Sequence, residues 1–211
     1  MKCKICNTIS VSFEDTELKK RFYHCPSCNL IFLDKKFYVS TSKEKNQYDQ
    51  HNNNLENEGY VKMFNDFLDF TIGNSHIKNT LDFGSGPTPV LAELLKRRGL
   101  NVEYFDKFYQ PKKVYENKKY DLITSTEVFE HIENPKETLN LLSNHLNTNG
   151  IISIMTLFHT NKQDDFLKWW YRRDPTHITF FTPKSIETMA KKCGLKLLKH
   201  DNKRVIVLKK V

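Results

Sequence analysis

Between residues 77 and 157 the chain alternates short aliphatic runs with amphipathic stretches of helical spacing, the pattern of strands and helices taken in turn. Ile77 to Phe83 reads as a buried strand that ends in the turn Gly84-Ser85-Gly86-Pro87. Val90 to Arg98 follows as an amphipathic helix closed by Gly99. Asn101 to Phe105 predicts a second strand, Tyr120 to Thr124 the next clear one, Pro135 to Leu146 a helix, and Ile151 to Leu157 a strand after the Asn149-Gly150 turn. Pro183 to Cys193 predicts another helix. Leu195 to Lys199 and Val205 to Lys209, joined at Asp201-Asn202, predict a closing antiparallel hairpin. Upstream, Val61 to Phe70 has apolar residues at helical spacing, whereas Ser40 to Glu58 is polar and reads as a linker or irregular cover.

The most informative point in this pattern is the first strand end. Glycines allow a backbone to turn sharply and a ligand to approach its amides, and the helix that follows offers its positive N-terminus. Asp106, about 20 residues on, ends the second strand where an acid can bind ribose hydroxyls. Asp82, Gly84, Ser85, Gly86 and Asp106 are therefore candidate nucleotide contacts.

Four of the five cysteines form a second signal: Cys3-x2-Cys6 and, 18 residues later, Cys25-x2-Cys28. Two thiolate pairs at this spacing fit the two knuckles of a zinc ribbon, with two disulfides as the alternative. Asn7 and Asn29 follow the pairs and tolerate the left-handed conformation that a knuckle needs there. Ser10 to Glu14, Arg21 to His24 and Leu30 to Leu33 read as the ribbon's short strands. A unit this small buries little apolar surface, so bound zinc would supply much of its folding free energy.

The order of glycine loop, second-strand acid, Tyr120-Asp121-Leu122-Ile123 strand and Glu127-Val128-Phe129-Glu130-His131 resembles the class I S-adenosylmethionine-dependent methyltransferases, with Thr88 where the third glycine usually stands. The resemblance implies an α/β, Rossmann-like, seven-stranded sheet ordered 3-2-1-4-5-7-6 with the cofactor at the carboxyl ends of its strands. It also implies Asp82 near the cofactor's amino group, Asp106 on its ribose, and Thr126 as a further cofactor contact. Together with the ribbon this gives residues 1–38 as a zinc ribbon, 39–76 as a linker and lid helix, and 77–211 as the methyltransferase domain. A group of bacterial methyltransferases shares this plan.

Glu127, Glu130 and His131 stand at i, i+3 and i+4, and two carboxylates with an imidazole can bind a divalent cation. The same Glu-x-x-Glu-His pattern resembles the metal-binding residues of quinone-biosynthesis O-methyltransferases and of small-RNA 2′-O-methyltransferases. The latter resemblance implies His177 as a further ligand. The other reading makes His131 a metal-free base or substrate contact, and Glu127, His131 and His177 are the candidate catalytic residues. Trp169-Trp170-Tyr171-Arg172-Arg173 lies where such enzymes insert substrate-recognition elements. Trp169, Tyr171, Arg172 and Arg173, with His51 upstream, are candidate contacts to a planar acceptor; the plainer reading is a helix packed on the core.

Charge and composition narrow the acceptor little. Residues 1–45 carry 9 Lys and Arg against 5 Asp and Glu, residues 46–161 carry 11 against 15, and residues 162–211 carry 13 against 5. Basic ends could attract RNA or an anionic small molecule, or simply be solvated faces. No apolar run approaches the ~18 residues of a membrane span, and no apolar leader is visible, so a reducing cytoplasm is the expected compartment. The reading is an S-adenosylmethionine-dependent methyltransferase acting on a hydroxylated small molecule or RNA. Its alternative is a zinc-ribbon RNA-binding module on a catalytically idle fold.

Overall fold

The computed structural model describes residues 1–50, 54–73 and 76–211. Its ten strands are β1 (Val11–Asp15), β2 (Lys20–His24), β3 (Ile31–Leu33), β4 (Asn79–Phe83), β5 (Asn101–Phe105), β6 (Tyr120–Thr126), β7 (Leu146–Met155), β8 (Thr179–Phe180), β9 (Leu195–His200) and β10 (Val205–Lys210). The helices are α1 (Thr41–Tyr48), α2 (Glu58–Ile72), α3 (Val90–Arg97), α4 (Pro135–Asn144), α5 (Gln163–Lys168) and α6 (Pro183–Lys192).

The main sheet runs β5-β4-β6-β7-β10-β9. Its first four strands are parallel, and of the terminal hairpin β10 alone is reversed, antiparallel to both β7 and β9. Both faces are covered, because strand side chains alternate. Leu122, Met155, Val205 and Val207 pack with α2 and α3 on one side, whereas Ile123, Ile154, Ile206 and Leu208 pack with α4 and α6 on the other. The Asn149-Gly150 turn expected from the sequence is absorbed into β7, at an irregularity opposite Tyr120 and Leu122.

In the strand numbering of the family this order is 2-1-4-5-7-6, so among the described residues the main sheet has six strands rather than the seven expected. The segment that would supply the third is held otherwise. Asp106 accepts hydrogen bonds from the amides of Phe108 and Tyr109 and bridges to Gln110, and short turns run on to Lys118. Lysines at 112, 113, 118 and 119 leave no alternating apolar set to bury, and only Val114 and Tyr115 turn inward to cover Phe105.

The ribbon forms a second sheet, β1-β2-β3-β8, whose last strand comes from near the other end of the chain. The ribbon boundary near residue 38 is therefore not a boundary of packing. Ile5, Leu30 and Phe32 share a buried cluster with Phe181, Ile186 and Met189.

Candidate active site and metal centre

The two cysteine knuckles have the same backbone plan. Cys3 donates its amide to the carbonyl of Thr8 and Cys25 to that of Leu30, while Asn7 and Asn29 donate back to the carbonyls of Cys3 and Cys25. Asn7 and Asn29 stand at φ 64° and 65°, the left-handed conformation that asparagine tolerates. The four sulfurs converge: Cys3 to Cys28 is 3.6 Å, Cys6 to Cys25 is 3.4 Å and Cys6 to Cys28 is 3.7 Å. A tetrahedral ion with ~2.3 Å bonds to sulfur sets ligands about 3.8 Å apart, whereas a disulfide needs ~2.05 Å, so the geometry is that of a zinc ribbon.

In the main sheet, the glycine loop folds over the tip of β5. The amides of Gly84 and Ser85 donate to the carbonyl of Phe105, and the Gly86 amide donates to Asp106 Oδ2 at 3.0 Å. Gly84 has φ +89°, and a Cβ there would lie 2.2 Å from Val128 Cγ2; at Gly86, φ +69°, a Cβ would meet nothing. One glycine is thus required for packing. The other faces open space.

Asp82 lies beneath this loop, 1% exposed, and accepts a hydrogen bond from Thr124 Oγ1 at 3.1 Å. Burial, outweighing that bond and reinforced by the Asp106 charge, pushes its carboxyl up to about 7. Thr126 ends β6 close by, and Glu127 follows at φ +53°. A β-branched strand end running into a left-handed glutamate is a strained turn of the kind functional sites hold.

The turn Phe129–His131 then brings Glu130 and His131 in toward His177. One ligand atom from each of the three lies within 4.8 Å of the others, and the two imidazole centres are 4.7 Å apart. His131 Nδ1 donates to the carbonyl of Thr176 at 3.1 Å and His177 Nδ1 to that of Tyr171 at 2.8 Å. A carbonyl only accepts, so Nδ1 of each ring carries a proton; a neutral ring then has its lone pair on Nε2, the tautomer that a metal needs, and His177 Nε2 lies 4.0 Å from Asp174 Oδ2. Burial, helped by the His177 charge, pushes His131 down to about 3. Glu130 is fully buried, and its Oε2 has no hydrogen-bond partner among the described residues.

Glu127, expected as a fourth ligand, is not in this group. Its left-handed backbone turns its carboxylate to the Tyr171 hydroxyl, 3.0 Å away, and the same hydroxyl lies 2.5 Å from Glu130 Oε1. One phenolic proton serves two carboxylates. Burial pushes both acids up, Glu130 well above the usual carboxylate range.

The residues expected at the acceptor divide differently. Tyr171 is buried at the two glutamates, and Arg172, 1% exposed, is enclosed by acids of the ribbon; neither offers a face to a planar ligand. Trp169 is half-buried against Phe166, Tyr171 and Phe180, and Arg173 is exposed with an ion pair to Glu17. Trp170, passed over in the sequence, is the exposed aromatic of the run. His51 lies outside the described residues. Tyr48 packs edge-on against His131, at 5.1 Å between ring centres, so α1 covers the site. Its helix is tied to the loop after Asp106 by Lys107 to Glu44 and by the Tyr109 hydroxyl to Asp49.

A parallel sheet with a reversed final strand, a glycine loop after its first strand and an acid after its second defines the class I methyltransferase architecture. Residues 33–200 match the methyltransferase domain family, and the chain belongs to it. The ubiquinone biosynthesis O-methyltransferase of Rickettsia canadensis (strain McKiel) is 26% identical over 110 residues, 48% of this chain and 46% of that protein, so the chain spans about half the length of this relative. An O-methyltransferase family protein from Burkholderia thailandensis superposes with a TM-score of 0.56 at 12% identity, covering 79% of this chain and 62% of that one. The N-methyltransferase NodS from Bradyrhizobium japonicum WM9, solved with S-adenosyl-L-homocysteine, does so at 0.54 and 11% identity, covering 82% and 99%. No helix among the described residues is long and apolar enough to cross a membrane.

Proposed function

We propose that the chain methylates a hydroxyl of a small molecule or RNA with neighbouring hydroxyls, using a divalent cation held by Glu130, His131 and His177. The observation that carries this reading is the donor set: Glu130, His131 and His177 each bring one ligand atom within 4.8 Å of the others, both imidazoles have Nδ1 on a backbone carbonyl, and Glu130 Oε2 is buried with no hydrogen-bond partner among the described residues. Removing such an oxygen from water without a partner is costly, and a cation repays it. When bound, the cation would lower the pKa of a chelated hydroxyl and hold that oxygen in place. His131, pushed down to about 3, is a poor proton acceptor and a ready ligand, which favours the metal reading over a metal-free histidine base.

The cofactor would lie along the strand ends, with Asp106 at the ribose, Gly84, Ser85 and Gly86 beneath the amino-acid end, Asp82 at its amino group and Thr126 alongside. The loop fits it, since Gly86 opens onto free space and Asp106 holds the Gly86 amide. Bound S-adenosylmethionine supplies a methyl group already activated as a sulfonium, so alignment provides most of the rate. Glu127, made more basic by burial and more open than Glu130, takes the acceptor's proton as a carboxylate and becomes the neutral acid, held in place by the Tyr171 hydroxyl. Residues 39–76 then serve as a cover, with Tyr48 of α1 over His131. In the ribbon, Cys3, Cys6, Cys25 and Cys28 hold one structural zinc.

The test is methyl transfer from labelled S-adenosylmethionine to catechol-type and ribose-hydroxyl acceptors, with and without added Mg²⁺, Mn²⁺ or Zn²⁺. Cation-dependent transfer that is lost in His131→Ala and His177→Ala, with cofactor binding retained, is expected. Transfer by the unmodified protein that is indifferent to cations, or that persists in both variants, would contradict the metal role.

A further inference from the structure

Arg172 is the largest fully buried side chain, and nothing in the chemistry above uses it. Its Nε lies 2.9 Å from Asp15 Oδ2 and its Nη2 2.6 Å from Glu17 Oε2. Both acids belong to the β1–β2 hairpin of the ribbon, some 155 residues away in sequence. Asp15, also 1% exposed, uses its other oxygen to accept the Leu18 amide and so shapes the hairpin turn. A charge pair this enclosed is costly to assemble and more costly to break, since removing one partner strands the other.

The preceding residue organises the reaction centre twice over. The Tyr171 hydroxyl joins Glu127 to Glu130, and the Tyr171 carbonyl takes the Nδ1 proton of His177. A second strap runs in parallel. Ile178, next to His177, donates its amide to the Glu130 carbonyl at 2.8 Å and accepts the Leu33 amide of the ribbon at 3.0 Å. The ribbon thus grips the 171–178 segment on both sides of His177.

We infer that Arg172 is a positioning residue through which the ribbon hairpin sets Tyr171, and thereby the His177 tautomer, for methyl transfer. The inference rests on the reading of Glu130, His131 and His177 as the reaction centre, but its readout needs no turnover. Without the Asp15 anchor, the backbone at 171 is free to rotate its carbonyl away from His177, and the imidazole loses the acceptor that keeps its proton on Nδ1.

The experiment is nitrogen-15 NMR of the histidine side chains in the reduced, zinc-supplied full chain saturated with S-adenosyl-L-homocysteine. In the unmodified protein His177 should be a single Nδ1-protonated tautomer. In Arg172→Met its two ring nitrogens should converge in shift as tautomers mix, and the Ile178 amide should exchange about tenfold faster with the fold intact. S-adenosyl-L-homocysteine affinity should stay within about twofold, since none of its proposed contacts is touched, and Arg172→Lys should restore part of the His177 signature. A folded Arg172→Met protein with His177 and Ile178 unchanged would overturn the inference. If Arg172→Met does not fold, Glu17→Gln on the half-exposed turn decides the matter: a smaller shift in the same direction supports it, and none rejects it. Failure here leaves the methyl-transfer assay untouched, so the two readings fail separately.

Discussion

Asp82 illustrates how burial writes function at a single residue. Its carboxyl, pushed up to about 7, lies well above the ~3.9 of an unfolded chain, so the folded protein binds the extra proton. That contribution to stability is complete below about pH 4 and is lost as pH rises through about 7. A cofactor ammonium placed against Asp82 favours the charged form instead. S-adenosyl-L-homocysteine should therefore bind more tightly as pH rises from 6 to 8 and release a proton, and Asp82→Asn should flatten that dependence; calorimetry in buffers of different ionisation enthalpy checks both. Gly84 makes a sharper point. A side chain there meets Val128 at 2.2 Å and a φ of +89°, so Gly84→Ala should cost on the order of 2–4 kcal/mol in a denaturation experiment. Adding Val128→Ala should recover the packing part and leave the backbone part. Asp82, Gly84, Gly86 and Asp106 were legible because strand, glycine turn and acid follow one another in sequence. The role of Tyr171 was not, since the glutamates it joins sit more than 40 residues away and no local pattern marks a buried hydroxyl.

Among the elements, those with strong apolar periodicity came out where the sequence placed them: α2, α3 and α6 each bury one clear face, and the β9–β10 hairpin closes the sheet with β10 buried on both. Two did not. The third strand of the family is replaced by turns because residues 107–119 offer lysines where a strand needs a buried face, and Asp106 draws the Phe108 and Tyr109 amides into a turn. The polar stretch after residue 40 contains α1, which buries nothing of its own and is held by Ser40 at its start and by the Lys107–Glu44 ion pair and the Tyr109–Asp49 hydrogen bond to the loop after Asp106. Such a helix is marginal alone and depends on what it covers. Cofactor binding should accordingly slow amide exchange in α1, with Tyr48→Ala abolishing most of the protection; α1 exchange indifferent to S-adenosyl-L-homocysteine would remove it as a cover.

Across the whole molecule, the paired Cys-x2-Cys motifs announced a ribbon, but its fusion to the core was invisible in the sequence. The β3–β8 pairing and the Arg172–Asp15 ion pair join residues far apart in the chain, and periodicity carries no information about such partners. The consequence is specific. Chelation of the ribbon metal should expose β1 to β3 and also β8, which pairs with β3, while the Gly84 loop keeps its protection; exchange changes confined to residues 1–35 would show the ribbon to be independent. Basic residues after 162 stay compatible with either acceptor class, so charge does not choose between them. The central claim is that a cation sits beside the cofactor at Glu130, His131 and His177 as well as in the ribbon. Anomalous scattering from crystals grown with S-adenosyl-L-homocysteine and Mn²⁺ tests it most directly. A zinc-edge peak among Cys3, Cys6, Cys25 and Cys28 and a manganese peak within bonding distance of Glu130, His131 and His177 are expected; full cofactor density with no manganese at that cluster would contradict it.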